Sequence, residues 1–355
     1  MEKHITCYSP YIVNNLYAVN VRRLLNEKGY STLPLKEVLK NPQLFYKCKI
    51  FNFNWFENVS DWKQYYAKSF LLWFLHSSGK RIVYTLHNKK PHDSGANRWS
   101  LKMMRMMCKK ADKIVGLCPD TKDVVESILP GASSKLEIIP HPNYISNYEN
   151  VQSGTLRDKY NFSESDLVFL FMGFVSPYKN LELLIDTFKE IKNPRIKLLI
   201  AGKPCDSKYQ QELESRIGDS ANICADFRYI PDDEMLSFYN TSNIVVLPYH
   251  KTSSLNSGAV YLTFSLGKTV ICPDIGTMNA LTDKSFVYEY HYDDEREHAK
   301  VLKNKILEVC SDFEENPDSI IEKGKAAYRY VAQENSDTMI ADKYDRLYHS
   351  LIIGG

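Results

Sequence analysis

The chain has 355 residues, which is more than one hydrophobic core usually accommodates, so two domains are expected. Its composition is typical of a globular protein, and its eight cysteines contain no C-x-x-C pair, a pattern that favours reduced thiols in a cytosol over a zinc or disulfide framework. The net charge of +2 hides an asymmetry, because residues 1–150 carry 22 basic and 12 acidic side chains whereas the remainder carries 23 and 31. A basic first half indicates an anionic partner such as nucleic acid, a membrane surface or a phosphorylated acceptor, or else attraction between the two halves.

Apolar runs alternate with amphipathic stretches along the chain, a rhythm that is typical of a parallel sheet covered by helices. In the first half, strands are predicted at 5–8, 50–55, 81–86, 113–117 and 136–139, and helices at 16–28, 61–77, 97–110 and 119–129. A linker rich in Asn, Ser and Tyr follows. The second series has strands at 167–172, 197–201, 223–229, 244–248, 269–272 and 286–289, and a helical end.

The predicted architecture is an α/β fold of two Rossmann-like domains that face each other across a cleft. The domains are expected at residues 1–150 and 151–335, with a C-terminal helix at 336–355 that packs back towards the first domain. No G-x-G-x-x-G follows the first strand, and the sequence has no P-loop, no G-x-S-x-G elbow and no His/Cys cluster with metal-ligand spacing. The acidic runs at 231–234 and 292–295 are interpreted as helix starts, so no metal is expected.

The stretch GFVSPYKN, at Gly173–Asn180, joins a buried strand to an amphipathic helix. Its lysine, Lys179, therefore lies at the carboxyl end of a predicted parallel sheet. Ligands bind at that edge of open parallel sheets, and helix N-termini there favour phosphate. A solvated lysine at a helix start is the alternative interpretation.

Four segments of the second half occur in a fixed order, at 173–180 (GFVSPYKN), 197–204 (KLLIAGKP), 227–249 and 255–276. Together they resemble the nucleotide-sugar domain of GT-B glycosyltransferases, in particular those like glycosyltransferase family 4. The resemblance covers residues 165–275 well and the first half less specifically, through FNFNWFEN, VYTLHNKKPHD and IPHPNY. It implies the GT-B fold, a nucleotide-diphosphate sugar as donor and no metal or other cofactor. It also implies hexose transfer to a glycan or lipid-linked glycan in cell-surface polysaccharide synthesis, with no nucleic acid as partner.

The resemblance assigns the donor-binding residues. Lys179 would hold the donor diphosphate as a fixed cation, which stabilises the departing charge without a metal. Family members often have an arginine directly after the first glycine, but Phe174 occupies that position here, so a second cation is absent or is supplied by Arg228. The other implied donor-binding residues are Gly173, Gly202, Tyr229, Ile230, Asn256, Ser257 and Gly258. Simple helix capping is the alternative for the last two.

The last segment lacks two glutamates that many family members carry, since Ser254 and Leu262 stand at those positions. The retaining mechanism that is usual for the family is therefore not assumed, and an inverting reaction is expected. The N-S-G-A variant, which begins at Asn256, resembles a segment of bacterial polysaccharide transferases associated with β-mannosyl-type linkages, which points to GDP-mannose as donor. A retaining transferase of the same fold and a non-catalytic sugar-binding or partner subunit remain as alternatives.

In the first domain, VYTLHNKKPHD places polar side chains directly after a strand, with His87 and Asn88 first and His92 and Asp93 further along. An inverting transfer needs a base for the acceptor hydroxyl. Asp93 is the first candidate for that base and His87 the second. The alternative is a surface loop in which His87 only caps the strand. His141, in IPHPNY, either contacts the donor or braces the linker.

Two predicted helices of the first half have a surplus of aromatic or basic side chains. Residues 62–75 contain more aromatic side chains than one buried face requires, and residues 98–110 carry basic residues on one face and Trp99 with methionines on another. Such helices either lie on an anionic membrane surface or have core on one side and solvent on the other. The sequence shows no signal peptide and no run of roughly 18 apolar residues. We therefore expect a cytoplasmic protein, free or at the inner face of the membrane.

Overall fold

The computed structural model describes residues 4–89, 98–252 and 254–353, and the chain forms two compact units. The first unit comprises Met1–Pro142, Thr252–Asn256 and Glu334–Gly355, and the second comprises Asn143–Lys251 and Ser257–Gln333. Each unit is built around one parallel sheet. In the part of the chain that the structure describes, no helix has both the length and the apolar character needed to cross a membrane.

The first unit contains a parallel sheet with six strands among the described residues. These are β1 (His4–Ser9), β2 (Tyr30–Pro34), β3 (Ile50–Asn54), β4 (Arg81–Leu86), β5 (Lys113–Gly116) and β6 (Leu136–Ile138). Their order across the sheet is β2-β1-β3-β4-β5-β6. The edge strand β2 is absent from the sequence-based prediction, because its sequence YSTLP is short, half polar and ends in proline.

Helices connect the strands of the first unit, and some of these helices start at a polar residue that caps them. They are α1 (Leu16–Glu27), α2 (Leu35–Lys40), α3 (Pro42–Lys47), α4 (Trp62–Ser77), α5 (Arg98–Lys110) and α6 (Thr121–Ile128). Asn15 Oδ1 accepts a hydrogen bond from the Ala18 N–H at 3.1 Å, and Asp61 Oδ1 accepts one from the Gln64 N–H at 2.9 Å. Such caps satisfy N–H groups that the first helical turn leaves without partners, so they fix where α1 and α4 begin.

The second unit contains a second parallel sheet, also with six strands in the described ranges. These are β7 (Leu167–Met172), β8 (Ile196–Ala201), β9 (Ile223–Asp226), β10 (Ile244–Val246), β11 (Thr269–Pro273) and β12 (Tyr288–Tyr290). Their order is β12-β11-β10-β7-β8-β9, so the direction in which the chain crosses the sheet reverses between β7 and β10. Open parallel sheets bind ligands beside such a reversal, beyond the carboxyl ends of the strands.

The helices of the second unit follow its strands, and one further helix returns to the first unit. They are α7 (Ile145–Tyr148), α8 (Leu181–Lys189), α9 (Ser207–Ile217), α10 (Asp232–Thr241), α11 (Gly258–Ser265), α12 (Gly276–Asn279), α13 (Glu295–Glu315) and α14 (Asp318–Glu334). The returning helix is α15 (Asp337–Ile353). Its Tyr344 and Tyr348 are buried in the core of the first unit, where Asn52 Nδ2 donates to Tyr348 Oη at 2.9 Å. The first unit therefore takes part of its core from the end of the chain.

Candidate functional site

Two glycines follow the carboxyl ends of β7 and β8, and both have positive φ angles, 138° at Gly173 and 147° at Gly202. A Cβ on Gly202 would lie 1.8 Å from the carbonyl oxygen of Gly173, so any larger residue would displace the backbone. A Cβ on Gly173 would meet no atom of the described residues within 4 Å. The two strand ends therefore approach each other closely and leave the backbone of Gly173 accessible to a ligand.

Lys179 ends a short 3₁₀ helix, Pro177–Lys179, just after β7. Its Nζ lies 3.9 Å from the ring centroid of Tyr249 and 5.0 Å from that of Tyr178. No carboxylate of the described residues lies within ion-pairing distance of this amine. Burial lowers the pKa of Lys179 to about 7, because the charged form loses its hydration. A nearby anion would restore the proton, so the geometry suits an amine that binds a negatively charged ligand.

Tyr249 connects Lys179 with the N-terminus of α11. Ser257 Oγ donates to Tyr249 Oη at 3.3 Å and accepts from the Val260 N–H at 3.4 Å, which caps the helix. The Ser257 N–H in turn donates to Thr277 Oγ1 at 2.9 Å. Elements that follow β7, β10 and β11 thus meet beside the reversal in strand order. Neither Tyr249 nor Thr277 is predicted from the sequence, and the only sequence signal for Tyr249 is its position shortly after a strand.

The first turn of α11 presents backbone donors. The N–H groups of Gly258 and Ala259 have no acceptor among the described residues, and the helix dipole adds partial positive charge at this end. Ser257 therefore caps the helix, and the two following residues keep their N–H groups accessible to a ligand. Asn256 is not part of this helix N-terminus. It belongs to the first unit, where its Nδ2 donates to the carbonyl oxygen of His87 at 3.1 Å.

His298 holds the turn that carries Lys179. Asn180 adopts a positive φ of 59°, and its Nδ2 donates to Nδ1 of His298 at 3.2 Å. The imidazole is buried, stacks on the Tyr292 ring at 3.8 Å and lies 2.8 Å from Tyr290 Oη through Nε2. Burial lowers the pKa of His298 to about 4, so the ring is neutral at pH 7 and can accept the bond from Asn180. His298 is not predicted from the sequence, because 118 residues separate it from Asn180.

Arg228 is engaged with carboxylates. Its Nε donates to Asp226 at 3.0 Å, and its two terminal nitrogens donate to Glu234 at 3.2 and 2.5 Å. A guanidinium that is neutralised by two carboxylates is poorly suited to bind phosphate, so this geometry favours the alternative in which the second cation is absent. The neighbouring Tyr229 is 59% exposed, whereas Ile230 is buried. Phe174, at the position of the usual arginine, is exposed beside Gly173.

In the first unit, His87 lies in an aromatic cluster just beyond β4. Its ring stacks on Trp55 at 4.1 Å and meets Tyr17 edge-on at 5.1 Å, and Nε2 lies 3.0 Å from Asn54 Oδ1. The side chain is buried and held on several sides. This arrangement matches the prediction that His87 lies at a strand end, and it fixes the imidazole orientation through Asn54.

His141 closes the same cluster and is neutral. Its ring lies 4.8 Å from Tyr17, and its Nδ1 lies 2.8 Å from the Pro142 carbonyl oxygen. Asn335 Nδ2 donates to the carbonyl oxygen of His141 at 2.7 Å. Burial lowers the pKa of His141 to about 4. These contacts correspond to the bracing alternative. Asn88, next to His87, is also buried. The candidates His92 and Asp93 lie outside the described residues.

Glu57 is a buried carboxyl group that the sequence analysis did not identify. It follows β3, and burial raises its pKa to about 7, although Lys68 and Tyr84 favour the charged form. The same burial lowers the pKa of Lys68, whose Nζ donates to the carbonyl oxygens of Phe56 at 2.8 Å and Asn58 at 2.7 Å. The loop after β3 is therefore fastened to α4 beside a carboxyl group that titrates near neutrality.

The positions of the two missing family glutamates have different surroundings. Ser254 is buried and belongs to the first unit, whereas Leu262 lies half-buried on α11. Across the described ranges, no group of three or more His, Cys, Asp or Glu side chains could hold a metal ion. The candidate site of the second unit consists of two strand-end glycines, one lysine and a helix N-terminus.

The second unit matches a known family. The model described as "Glycosyl transferases group 1" matches residues 152–326. These residues, just under half of the chain, are similar to a glycosyltransferase group 1 domain. The "GDP-mannose:glycolipid 4-beta-D-mannosyltransferase" of Xanthomonas campestris pv. campestris is 26% identical over 230 residues, 63% of this chain and 60% of that relative. The "Lipopolysaccharide 1,2-N-acetylglucosaminetransferase" of Salmonella typhimurium is 25% identical over 232 residues, 61% of this chain and 59% of that relative.

Solved structures match the chain over both units. Sucrose-phosphate synthase from Thermosynechococcus elongatus has a TM-score of 0.74 at 14% identity, and the match covers 100% of both chains. HepE of Anabaena in complex with UDP has a TM-score of 0.71 at 12% identity, covering 99% of this chain and 100% of that one. The fold is GT-B, which confirms the predicted fold class and the predicted resemblance. The Lys179 turn and α11 both lie within the residues that match the glycosyltransferase group 1 model.

Proposed function

We propose that the protein transfers a hexose from a nucleotide-diphosphate sugar to a glycan or lipid-linked glycan acceptor in cell-surface polysaccharide synthesis. The observation that carries this proposal is that the Lys179 amine lies 3.9 Å from the ring of Tyr249, whose hydroxyl contacts Ser257, the residue that caps α11. GDP-mannose is the donor we favour, because the curated mannosyltransferase that the chain resembles is named for it. That match spans 60% of the relative's length, so donor, acceptor and activity are all part of the proposal.

The leaving nucleoside diphosphate needs positive charge as the sugar departs. Lys179 supplies it, since an anion beside its amine favours the protonated form that burial otherwise disfavours. The Gly258 and Ala259 N–H groups add hydrogen bonds at the positive end of the helix dipole. Tyr249 and the His298–Asn180 pair keep these groups in place. This set supports transfer without a metal ion.

On the acceptor side we propose Asp93 as the base of an inverting reaction. His87 is less suited, because Asn54 already engages its Nε2 and two aromatic rings enclose it. A base that removes the acceptor proton makes the oxygen nucleophilic as the carbon–oxygen bond to the diphosphate breaks. Retention of the donor's anomeric configuration in the product would instead support the retaining alternative.

The test is calorimetric titration with GDP-mannose and UDP-glucose, with and without EDTA, followed by a transfer assay. We expect GDP-mannose to bind in EDTA, and we expect Lys179→Ala to weaken binding by about 1.5–3 kcal/mol, which is typical of a lost charge-assisted hydrogen bond. Lys300→Ala removes an exposed lysine of the same unit and should bind like the wild type. Equal affinity of both variants would contradict the donor site. Donor binding without transfer to any glycan or glycolipid would favour the non-catalytic alternative.

A lipid-linked acceptor would bring the protein to the inner face of a membrane, and we include peripheral membrane association in the proposal. The basic first half supports it, because anionic lipids attract polybasic surfaces.

A further inference from the structure

Helix α4 has apolar side chains on two opposite faces. Leu72 and Leu75 are fully buried against the rest of the first unit. Opposite them, a stripe of large aromatic side chains is exposed to solvent: Trp62 at 54%, Tyr66 at 57%, Phe70 at 64% and Trp73 at 54%. At about 100° per residue, these four positions lie within roughly 80° of one another around the helix. A helix that packs only against its own core needs the first face and has no use for the second.

The aromatic stripe continues onto α5. Trp62 and Tyr66 lie 6.3 Å apart between ring centroids, and Phe70 and Trp73 lie 5.6 Å apart. The Trp99 ring of α5 lies 6.1 Å from that of Tyr66. The rings therefore form one contiguous apolar surface, which we call the aromatic face. Isolated exposed aromatic residues are common on monomers, but contiguous patches mark interaction surfaces.

Cations surround the aromatic face. The Lys63 amine lies 5.7 Å from the Trp62 ring, and the charged groups of Arg98 and Lys102 lie 4.9 and 4.7 Å from the Trp99 ring. None of these three pairs with a carboxylate in the parts of the chain that the structure describes. Residues 62–110 contain eleven Lys and Arg side chains and a single acidic one, Asp93. The surface thus combines aromatic rings with uncompensated positive charge.

This combination selects one class of partner. The centres of protein–protein interfaces are depleted in Lys, so a second copy of the chain or another protein would leave these amines desolvated or require many carboxylates opposite them. Tyr and Trp are enriched at membrane–water interfaces, where the ring lies among acyl chains and its polar edge remains hydrated. Lys and Arg at the same depth attract anionic headgroups. We infer that the aromatic face of α4 and α5 docks on a bilayer that contains anionic phospholipid.

Docking deepens the proposed function, because it would hold the protein where a lipid-linked acceptor is found. Only this biological role of docking rests on the proposed function. Binding to a bilayer does not require the donor site. The two proposals can therefore fail separately, and the same protein preparations can test both.

The experiment is flotation of the full chain with vesicles of phosphatidylcholine containing 30% phosphatidylglycerol, compared with pure phosphatidylcholine. We expect binding to the anionic vesicles that is at least tenfold stronger and that weakens as salt is added. Phe70→Ser/Trp73→Ser should reduce binding about tenfold or more by removing inserted rings. The matched control is Tyr46→Ser, since Tyr46 is exposed on α3 of the same unit, and it should bind like the wild type.

A second pair of variants tests the electrostatic contribution to vesicle binding. Lys102→Glu/Lys109→Glu changes two exposed positions of α5 and should reduce binding to anionic vesicles about tenfold or more. Lys36→Glu/Lys40→Glu makes the same change in net charge on α2 and should have a much smaller effect. Brominated lipids should quench tryptophan fluorescence, because three of the four tryptophans, Trp62, Trp73 and Trp99, belong to the aromatic face.

Three outcomes would overturn the docking proposal. One is equal binding to anionic and zwitterionic vesicles, or none to either. Another is an equal loss of vesicle binding in the α4 or α5 variants and in their control variants. The third is a dimer in sedimentation velocity that Phe70→Ser/Trp73→Ser dissociates while vesicle binding stays unchanged. Calorimetry with GDP-mannose, without vesicles, separates the proposals: wild type that binds vesicles but no donor refutes the donor site and leaves docking intact.

Discussion

The groups beyond the strand ends of the two units come from the chain in different ways. In the second unit, a few short segments supply backbone donors, two glycines and one lysine, which are the groups that we propose bind the donor. In the first unit, the cluster around His87 consists of side chains from distant parts of the chain, among them Tyr17, Trp55 and His141. Phosphate can be bound by backbone geometry and one charge, which leaves a local sequence signature. A cluster of packed side chains leaves none.

Asp93→Asn tests the first unit most severely. If Asp93 is the base, turnover should fall by about 10²–10⁴, because general-base assistance contributes that factor. Donor affinity should stay nearly unchanged, since Asp93 belongs to the first unit and the proposed donor site belongs to the second. The measurement is single-turnover transfer with GDP-mannose, with proton NMR of the product anomer. Near-normal turnover, or an anomer that matches the donor, would contradict the assignment and make His87 the next residue to substitute.

Gly202→Ala tests the backbone geometry of the donor side. The new Cβ would lie 1.8 Å from the Gly173 carbonyl oxygen, at a φ of 147° that alanine rarely adopts. We expect a loss of about 2–4 kcal/mol in the free energy of unfolding, or an equivalent loss of donor affinity if the strand ends separate instead. Urea denaturation and calorimetry measure the two quantities. Gly154→Ala is the control, because a Cβ there meets no described atom within 4 Å, and it should resemble the wild type.

Glu57→Gln tests the buried carboxyl group that the sequence did not reveal. The folded-state pKa of Glu57 is raised from 4.5 to about 7. As the pH rises, the unfolded chain therefore loses the Glu57 proton at a lower pH than the folded chain does. The wild type should therefore lose stability as pH rises from about 4.5 to 7, by up to about 3 kcal/mol, and then level off. Glu57→Gln has no carboxyl group to titrate, so its free energy of unfolding does not fall in this way. Its free energy of unfolding relative to the wild type, measured by urea denaturation, should therefore rise from pH 5 to pH 8. The exposed control Glu37→Gln should follow the wild type, and a constant Glu57→Gln difference across this range would contradict the prediction.

Donor affinity should depend on pH through Lys179, and this is the smallest of the expected effects. Its pKa in the unliganded protein is lowered to about 7, so binding of GDP-mannose above that pH requires uptake of a proton. We expect about tenfold weaker binding at pH 8 than at pH 6. Lys179→Arg keeps its charge throughout, so its affinity should change much less over the same range. Parallel profiles for the two proteins would show that another group titrates.

The sequence predicted the strands of both sheets except β2, and it identified the turn of Lys179, because buried strands and strand-to-helix turns are local patterns. Tyr249, Thr277 and His298 could not be predicted, since each acts through a contact with another segment of the chain. Tyr249 contacts Lys179, Thr277 contacts Ser257, and His298 contacts Asn180. Arg228 differs, because its partners are near in sequence: its cationic side chain suggested phosphate binding, but Asp226 and Glu234, two and six residues away, neutralise it. Charge is visible in a sequence, whereas the partner that compensates it depends on the fold.

The return of α15 to the first unit has a consequence for biosynthesis. A ribosome makes the strands of that unit first, but Tyr344 and Tyr348, which fill its core beside α1 and β3, emerge only after the whole second unit. During that interval the nascent first unit exposes the apolar surface that α15 will later cover. The second unit, by contrast, consists of residues 143–333 except for the five residues 252–256. The unit synthesised first is therefore completed last, and chaperones that recognise exposed apolar surface would encounter it throughout that interval.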